Sequence, residues 1–320
     1  MQDFLSLYIN FLFFIRQTLV IFAKNEVMPT ILVTGASGFV GSRFVRRWAG
    51  EYTILAPTHT ELDITDSASV ESYFAFHHPQ VVLHLAALSN TAYCEQNPDE
   101  SYRVNVLGTQ NLARSASVRG IKFVFFSSDQ IYNGNHESGL LSEDVPVAPE
   151  NVYGRHKLLA EELLFELAPD AVALRATWMY DDDDEGLPVH PNFVMNFKKA
   201  LREGTPIAFP VREYRGITWV KEVVEFLPRT FSLQGGVYNF GAQNRLNTYE
   251  TACCYFEMLS CGLRCDDIVI ADADRYPLHE RNISISNEKI FSASNGAVFF
   301  NDTLDGLRIF VECHLASHCV

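Results

Sequence analysis

The sequence is poor in basic residues. It has 25 lysines and arginines against 39 aspartates and glutamates, a formal net charge of -14. Nucleic acids and anionic membrane surfaces are themselves negative, so this balance disfavours both as partners. The charge balance is still compatible with a small anionic ligand, because a helix N-terminus or two arginines are enough to bind one.

Cysteine pairs of the kind that bind zinc are missing. The seven cysteines, an odd number, stand at positions 94, 253, 254, 261, 265, 313 and 319. Cys261 and Cys265 are four apart, but no histidine pair with ligand spacing follows them. Reduced thiols of a cytoplasmic protein explain this set more simply than a disulfide framework or a metal site.

Long apolar runs are absent after the start of the chain. Positions 4–22 have about the length of a membrane span, but three polar residues interrupt them. Asp3 stands where a secretion signal needs positive charge, and no small-residue cleavage site follows. An amphipathic extra helix, or an upstream start codon with Met28 as the natural beginning, is favoured over a membrane anchor. Residues 1–28 are therefore treated as an N-terminal extension.

Short apolar runs alternate with segments of helical periodicity along most of the chain. Predicted strands cover 30–34, 52–56, 81–85, 122–126 and 171–175. The first predicted helix follows the turn 35–41 and ends at Trp48. The other predicted helices cover 67–76, 99–118, 153–167, 193–201 and 249–259. This alternation predicts an α/β fold with a doubly wound parallel sheet and helices on both faces.

The alternation weakens after about Trp178. We expect a dinucleotide-binding domain of the Rossmann type over 29–177 and a smaller α/β substrate domain over 178–320. A segment around 236–241 is expected to return to the first domain. Four aspartates at 181–184 interrupt the second half, and we interpret them as a solvated loop in preference to a metal site.

Three glycines follow the first predicted strand and open the first predicted helix. Gly35, Gly38 and Gly41 are spaced three apart in the segment 34–41. The first permits a tight turn, the second lets a pyrophosphate approach the backbone, and the third allows close packing of helix on strand. At this position in an α/β pattern the spacing indicates a dinucleotide site.

Tyr153 and Lys157 open a predicted helix four residues apart. Residues at this spacing share a helical face, so the lysine ammonium can stabilise a phenolate and lower the pKa of Tyr153. A surface helix that carries an aromatic residue and a lysine would show the same spacing. Ser127–Tyr132 follows the fourth strand, at the edge where open α/β sheets bind ligands, although serines also occur in ordinary strand exits.

Together these segments resemble the extended short-chain dehydrogenase/reductase family. The resemblance runs from Ile31 to about Tyr180 and more weakly to about Arg308. It rests on TGASGFVG (34–41), LDITD (62–66), HLAA (84–87), NVLGT (105–109), FSSDQIY (126–132), YGRHK (153–157) and LRATWMY (174–180).

The resemblance implies a catalytic triad of Ser128, Tyr153 and Lys157. Ser128 would hydrogen-bond the substrate oxygen, Tyr153 would exchange its proton, and Lys157 would hold the nicotinamide ribose and tune Tyr153. Asp63 and Ile64 would contact the adenine, Leu85, Ala86 and Ala87 would line the cofactor, and Asn105 would lie in the helix behind the site. The full set of expected cofactor residues is Gly35, Ser37, Gly38, Phe39, Val40, Arg43, Asp63, Ile64, Leu85, Ala86, Ala87, Asn105, Tyr153 and Lys157.

Within the family, the segment 127–134 looks most like the dTDP-4-dehydrorhamnose reductase group. Dehydratases of the family carry an acidic pair after the catalytic hydroxyl, whereas this chain has Asp129 followed by Gln130. An amide cannot transfer the proton that dehydration needs. Departures from the group are Gln130 in place of an aromatic residue, Asn282 in place of proline, and Glu213–Arg215 in place of the common Asp-Gln. They leave the sugar and its nucleotide open.

The cofactor is expected to be NADP or NAD, with a slight preference for NADP. The second strand ends in Ala56–His59, without the acid that usually binds both hydroxyls of the adenosine ribose of NAD. Arg43 either meets a 2′-phosphate or is a solvent-facing helix residue.

The sequence therefore predicts an NAD(P)H-dependent reductase that acts on a keto group of a nucleotide-activated sugar. A homodimer is also expected. An epimerase of the same family, which holds NAD for transient oxidation, is the first alternative. A non-catalytic regulatory subunit resembling the β subunit of methionine adenosyltransferase is the second, and the intact triad disfavours it.

Overall fold

The computed structural model describes residues 28–182, 186–259 and 262–317, with side chains through 314. Its strands are β1 (Thr30–Thr34), β2 (Thr53–Leu55), β3 (Val81–His84), β4 (Lys122–Ser128), β5 (Val172–Ala176), β6 (Trp178–Tyr180), β7 (Ile207–Pro210), β8 (Glu213–Arg215), β9 (Ile217–Trp219), β10 (Gly236–Phe240), β11 (Val269–Asp272) and β12 (Arg281–Ile283). Its α-helices are α1 (Phe39–Trp48), α2 (Ser67–His77), α3 (Thr91–Gln96), α4 (Pro98–Tyr102), α5 (Gly108–Ser117), α6 (Val152–Leu167), α7 (Phe193–Glu203), α8 (Val220–Phe226), α9 (Thr248–Met258), α10 (Cys265–Ile268), α11 (Glu288–Ala293) and α12 (Thr303–Ser317).

Six strands form one parallel sheet in the order β10-β5-β4-β3-β1-β2. The chain moves from β1 outward to β2 and then crosses to β3 on the other side of β1. Ligands of open α/β sheets bind at such a switch point, outside the carboxyl ends of the strands. The predicted doubly wound α/β fold is confirmed, and β10 forms the sixth strand beside β5.

Both faces of the sheet are covered, which explains why the three central residues of β1, Ile31–Val33, are all apolar instead of alternating. Ile31 and Val33 pack into one cluster with Phe44 of α1 and with much of the second half of the chain. Leu32 points to the opposite face, into a second cluster that includes residues of α2, α5 and α6. The sheet is therefore held rigidly between two apolar layers.

The predicted helix over 99–118 is divided in the structure. α4 passes into a π-helical turn, Arg103–Leu107, before α5 begins. π-Helical turns inside helices frequently occur at functional sites, and this one contains Asn105. The periodicity of the sequence is too coarse to distinguish a π-turn from a regular one.

The second half adds three parallel two-stranded ribbons, β6–β9, β7–β11 and β8–β12. The β8–β12 ribbon returns Arg215 and Arg281 to the carboxyl edge of the main sheet. None of the helices in the described part of the chain has the length and apolar character needed to cross a membrane. The expectations for residues 1–27 lie outside the described residues.

Candidate active site

The glycine turn after β1 is built by close backbone contacts. Gly35 has φ +70°, and a Cβ there would lie 2.7 Å from the Ala86 nitrogen. A Cβ on Gly41 would lie 2.2 Å from the Gly35 carbonyl oxygen. These contacts show that the turn touches both the loop after β3 and its own helix, as the spacing of the glycines predicts.

Helix α1 begins without a side-chain cap. Gly38 occupies the N-cap position and is exposed together with Ser37, so the first backbone N–H groups of the helix face outward. Free N–H groups at a helix N-terminus favour a bound anion such as a pyrophosphate. Val40 is buried, and Phe39 lies with its ring centroid 4.2 Å from that of His190. The turn therefore fits the phosphates of a dinucleotide.

The loop Leu85–Leu88 forms the opposite wall of this crevice. Its Ala86 N–H donates to Thr34 Oγ1 at 3.3 Å. Asn105 holds its far end, because the side chain accepts from the Leu88 N–H and donates to the Leu88 carbonyl, both at 2.9 Å. The structure thus brings Leu85, Ala86 and Ala87 beside Gly35, and places Asn105 behind the loop as its clamp.

Asp63 and Ile64 lie in the segment between β2 and α2. The Asp63 carboxylate accepts from the Thr65 hydroxyl and N–H, and these bonds hold the pKa of Asp63 below its usual value. Ile64 packs against Gly108 of α5, where a Cβ would lie 2.8 Å from the isoleucine side chain. Asp63 is therefore held by a neighbour in sequence, and Ile64 by packing against a helix that follows β3.

Arg43 does not face solvent, and that alternative is wrong. Its side chain is 8% exposed and its Nε donates to Asp181 Oδ2 at 2.7 Å. It also donates to the carbonyl oxygens of Phe39 and Pro188, both at 2.9 Å. Because these acceptors occupy the guanidinium, a 2′-phosphate would have to compete with them for Arg43.

The interpretation of the acidic run as a solvated loop is wrong for its first two residues. Asp182 is buried and forms an ion pair with Lys198. Asp181 also accepts from the Trp219 indole at 3.0 Å. The sequence could not show this, because all of these partners come from elements placed by the tertiary fold.

Ser128 ends β4 at the same edge of the sheet as the glycine turn. Its Oγ accepts from the Gln130 N–H at 3.2 Å and donates to Asp129 Oδ1 at 3.3 Å. A 3₁₀ turn, Asp129–Tyr132, follows directly. Ser128 is therefore held at the strand exit by its immediate neighbours.

Helix α6 is positioned against this turn by its first residues. Asn151 caps the helix through its Oδ1, which accepts from the Gly154 N–H at 2.6 Å. A Cβ on Gly154 would lie 2.3 Å from the Gln130 carbonyl oxygen, so a larger residue would push α6 away. This close approach brings Tyr153 near enough to Ser128 for the serine hydroxyl to lower the pKa of the phenol, against the larger effect of burial.

Tyr153 and Lys157 are both buried on the inner face of α6. The Lys157 Nζ donates to the Phe126 carbonyl at 2.7 Å and lies 5.9 Å from the centre of the Tyr153 ring. The expectation of a lowered pKa for Tyr153 is wrong in direction. Burial raises the pKa of its phenol well above the ordinary value, and this outweighs the opposite effect of the Ser128 hydrogen bond.

Sequence reasoning missed the two arginines that reach this site from the β8–β12 ribbon. Arg215 lies over the Trp178 ring and 3.5 Å from Asp129 Oδ2. Arg281 donates to Gln130 Oε1 at 3.0 Å and forms an ion pair with Glu213. Side chains alternate between the two faces of a strand, so Glu213 and Arg215 of β8 lie on the same face. This spacing is a weak sequence signal that the two residues act at one site.

Comparison with known proteins agrees with this geometry. Residues 28–280 match the family described as "RmlD substrate binding domain". The chain belongs to this family. The match confirms the resemblance to the dTDP-4-dehydrorhamnose reductase group within the extended short-chain dehydrogenases/reductases.

Two curated relatives of this RmlD-family chain are a polysaccharide biosynthesis protein and a reductase. It is 28% identical to the spore coat polysaccharide biosynthesis protein SpsK of Bacillus subtilis (strain 168) over 72% of this chain and 79% of the relative. It is 26% identical to the dTDP-4-dehydrorhamnose reductase of Aggregatibacter actinomycetemcomitans, with the same two coverages of 72% and 79%.

Solved structures share the fold of this family member. The dTDP-4-dehydrorhamnose reductase of Bacillus anthracis in complex with NADP has a TM-score of 0.77 at 21% identity, over 89% of this chain and 99% of the other. The UDP-glucose 4-epimerase of Thermotoga maritima has a TM-score of 0.73 at 21% identity, over 90% of this chain and 99% of the other.

Proposed function

We propose that this protein is an NAD(P)H-dependent reductase of a 4-keto sugar nucleotide, similar to dTDP-4-dehydrorhamnose reductase. The observation that carries the proposal is that Ser128, Tyr153 and Lys157 come together at the carboxyl edge of the sheet, the edge that also carries the glycine turn. The names of the curated relatives support the same activity. When bound, the nicotinamide supplies a hydride to the keto carbon.

The side chains of the protein supply the proton for the keto oxygen and orient the substrate. Ser128 donates a hydrogen bond to the keto oxygen of the substrate, and Tyr153 gives its proton to that oxygen as negative charge develops. Burial raises the pKa of Tyr153 and so favours the neutral phenol, the form that carries the proton to be given. Lys157 would hold the ribose of the nicotinamide.

The same observations favour reduction over the alternatives. Several curated relatives carry the name of a reductase, which supports reduction over epimerisation. Dehydration needs a second acid where Gln130 stands, and the amide of this residue is fixed by Arg281 and Asn151. A regulatory subunit has no need for a buried triad.

We propose NADPH as the preferred cofactor. No acid follows the end of β2 at Ala56–His59 to bind both hydroxyls of the adenosine ribose. Arg43 contributes to this preference only if a phosphate draws its guanidinium away from Asp181.

We also propose that the protein is cytoplasmic and forms a homodimer. The pattern of cysteines supports the cytoplasmic location.

A substrate screen tests the proposed function. Purified protein is mixed with 4-keto sugar nucleotides that differ in nucleotide and sugar, with NADPH or NADH, and the absorbance of the reduced nicotinamide is followed. We expect stoichiometric oxidation of NADPH, faster than that of NADH, with at least one substrate. Isomerisation of a sugar nucleotide without net consumption of cofactor would instead identify an epimerase.

A further inference from the structure

His84 is a buried histidine that the proposed reaction leaves without a role. It ends β3, is 1% exposed and stacks on Phe125 of β4, with 5.6 Å between the ring centroids. Burial lowers the pKa of its imidazole to about 3, and the nearby Lys157 ammonium acts in the same direction. The ring is therefore neutral near neutral pH, so one of its nitrogens donates a hydrogen bond and the other accepts one.

The Nδ1 nitrogen of His84 faces Thr34, the last residue of β1. Nδ1 and Thr34 Oγ1 are 2.7 Å apart. The same hydroxyl oxygen accepts from the Ala86 N–H at 3.3 Å. Because Thr34 directly precedes Gly35, it ties the glycine turn to the start of the loop Leu85–Leu88.

The Nε2 nitrogen of His84 faces Thr109 of α5, on the other side of the ring. Nε2 and Thr109 Oγ1 are 3.0 Å apart, and the Thr109 hydroxyl donates to the Asn105 carbonyl at 2.8 Å. The side chain of Asn105 holds Leu88, the last residue of the loop, by two hydrogen bonds of 2.9 Å. His84 therefore lies between the residue that holds the start of the loop and the residues that hold its end.

The donors and acceptors at the two ends fix the direction of this hydrogen-bond chain. The Ala86 N–H can only donate, and the Asn105 carbonyl can only accept. Each threonine hydroxyl, like the neutral imidazole, has a single proton to give. All four contacts are hydrogen bonds only if Thr34 donates to Nδ1 and the Nε2–H donates to Thr109. The chain thus requires the Nε2–H tautomer of His84, and its three linking side chains are at most 2% exposed.

We propose that His84 is a positioning residue, which through Thr34 and Thr109 fixes both ends of the loop Leu85–Leu88 against the glycine turn. This inference rests on the proposed function for the identity of the ligand, whereas the hydrogen-bond chain does not depend on it. Loop and turn are in close contact, because a Cβ on Gly35 would lie 2.7 Å from the Ala86 nitrogen. A small shift of the loop therefore changes the width of the crevice that receives the dinucleotide.

Three variants interrupt the chain at different points. Thr34→Val is nearly isosteric but leaves the buried Ala86 N–H without its acceptor. Thr109→Val acts from further away, because the Thr109 hydroxyl contacts His84 and Asn105, neither of which belongs to the loop. His84→Phe keeps an aromatic ring and removes both nitrogens.

Two further variants serve as controls. Thr230→Val also removes a buried hydroxyl, which donates to the Leu227 carbonyl at 2.6 Å in the 3₁₀ turn after α8. Thr230 is 0% exposed, so its loss should destabilise the protein about as much as that of the Thr34 hydroxyl. Thr34→Ser keeps the hydroxyl and is the conservative rescue.

The first measurement is the state of the His84 ring by ¹⁵N NMR of protein labelled at histidine, with His84→Phe to assign the signals. We expect a protonated Nε2 and an unprotonated Nδ1, unchanged between about pH 5 and pH 8. The Nδ1–H tautomer, or a ring that becomes charged in this range, would overturn the proposal, because neither permits the chain.

The second measurement is the affinity for NADPH, followed by nicotinamide fluorescence. We expect Thr34→Val and His84→Phe to bind about tenfold more weakly than the unmodified protein, and Thr109→Val about fivefold more weakly. Thr34→Ser should stay within about threefold and Thr230→Val within about twofold. If the ring transmits the effect of Thr109, adding Thr109→Val to His84→Phe should weaken binding little further.

Two results of the binding series would contradict the positioning role. One is equal affinity in Thr109→Val and Thr230→Val. The other is a full further loss in the double variant His84→Phe/Thr109→Val, which would assign the effect to Asn105 alone. If the unmodified protein binds neither NADPH nor NADH, the proposed function fails and the positioning role fails with it. Normal binding that none of the chain variants weakens overturns this inference alone.

Discussion

Tyr153→Phe is expected to lower kcat for reduction by at least about 10²-fold, because it removes the proton that the developing alkoxide needs. The substitution keeps the ring, which is 7% exposed and packs with Cys94 and Val152. Binding of NADPH should change less than about threefold, since the glycine turn is untouched and one bond contributes little. Turnover is measured by absorbance and binding by nicotinamide fluorescence.

Tyr102→Phe is the matched control for this prediction. Tyr102 is exposed, and its ring stands edge-on to His156 of α6, so it loses the same hydroxyl close to the site but outside it. Its kcat should equal that of the unmodified protein. If Tyr153→Phe also turned over normally, the proton would have to come from another group, and Tyr153 would no longer be the acid.

Gly41→Ala is expected to destabilise the protein and weaken cofactor binding, although helix propensity alone predicts that alanine stabilises this position. In the interior of α1, alanine should be about 1 kcal/mol more stable than glycine. The added Cβ would, however, lie 2.2 Å from the Gly35 carbonyl oxygen and 2.8 Å from the Ala36 Cα. Neither backbone group can yield without moving the turn. We expect the free energy of unfolding to fall by about 2 kcal/mol, and the affinity for NADPH to fall at least about tenfold.

Gly50→Ala provides the comparison. Gly50 follows the same helix, and a Cβ there meets nothing within 4 Å. Its free energy of unfolding in urea should lie within about 0.5 kcal/mol of the unmodified protein, with unchanged affinity for NADPH. A stable Gly41→Ala protein with normal affinity would show that the close contact between α1 and the turn can relax, and would remove the physical reason for the third glycine.

Much of the structure of the first half of the chain was predictable, because it depends on patterns among residues that are close in the sequence. The three glycines follow one strand and open one helix, so their spacing alone predicts the turn that the structure contains. Apolar strands alternate with periodic helices, which is enough for the parallel sheet. The contact of Tyr153 and Lys157 also follows from helical geometry, since four residues make about one turn.

The second half was less predictable because its elements act through distant partners. Arg215 and Asp129 are 86 residues apart in the sequence, and Arg281 and Gln130 are 151 apart. Their meeting depends on how the β8–β12 ribbon folds back over the sheet, which no local pattern encodes. Arg43 illustrates the same point, because its Nε donates a hydrogen bond to Asp181, which is 138 residues away in the sequence.

The sequence by itself determined the Rossmann-type sheet, the glycine turn and the helical face shared by Tyr153 and Lys157, because each depends on residues that are close along the chain. The tertiary structure alone decided that this face is buried. Burial raises the pKa of Tyr153 and lowers that of Lys157. Burial and long-range ion pairs arise only when the layers close around the site, so they could not be predicted from the order of the residues.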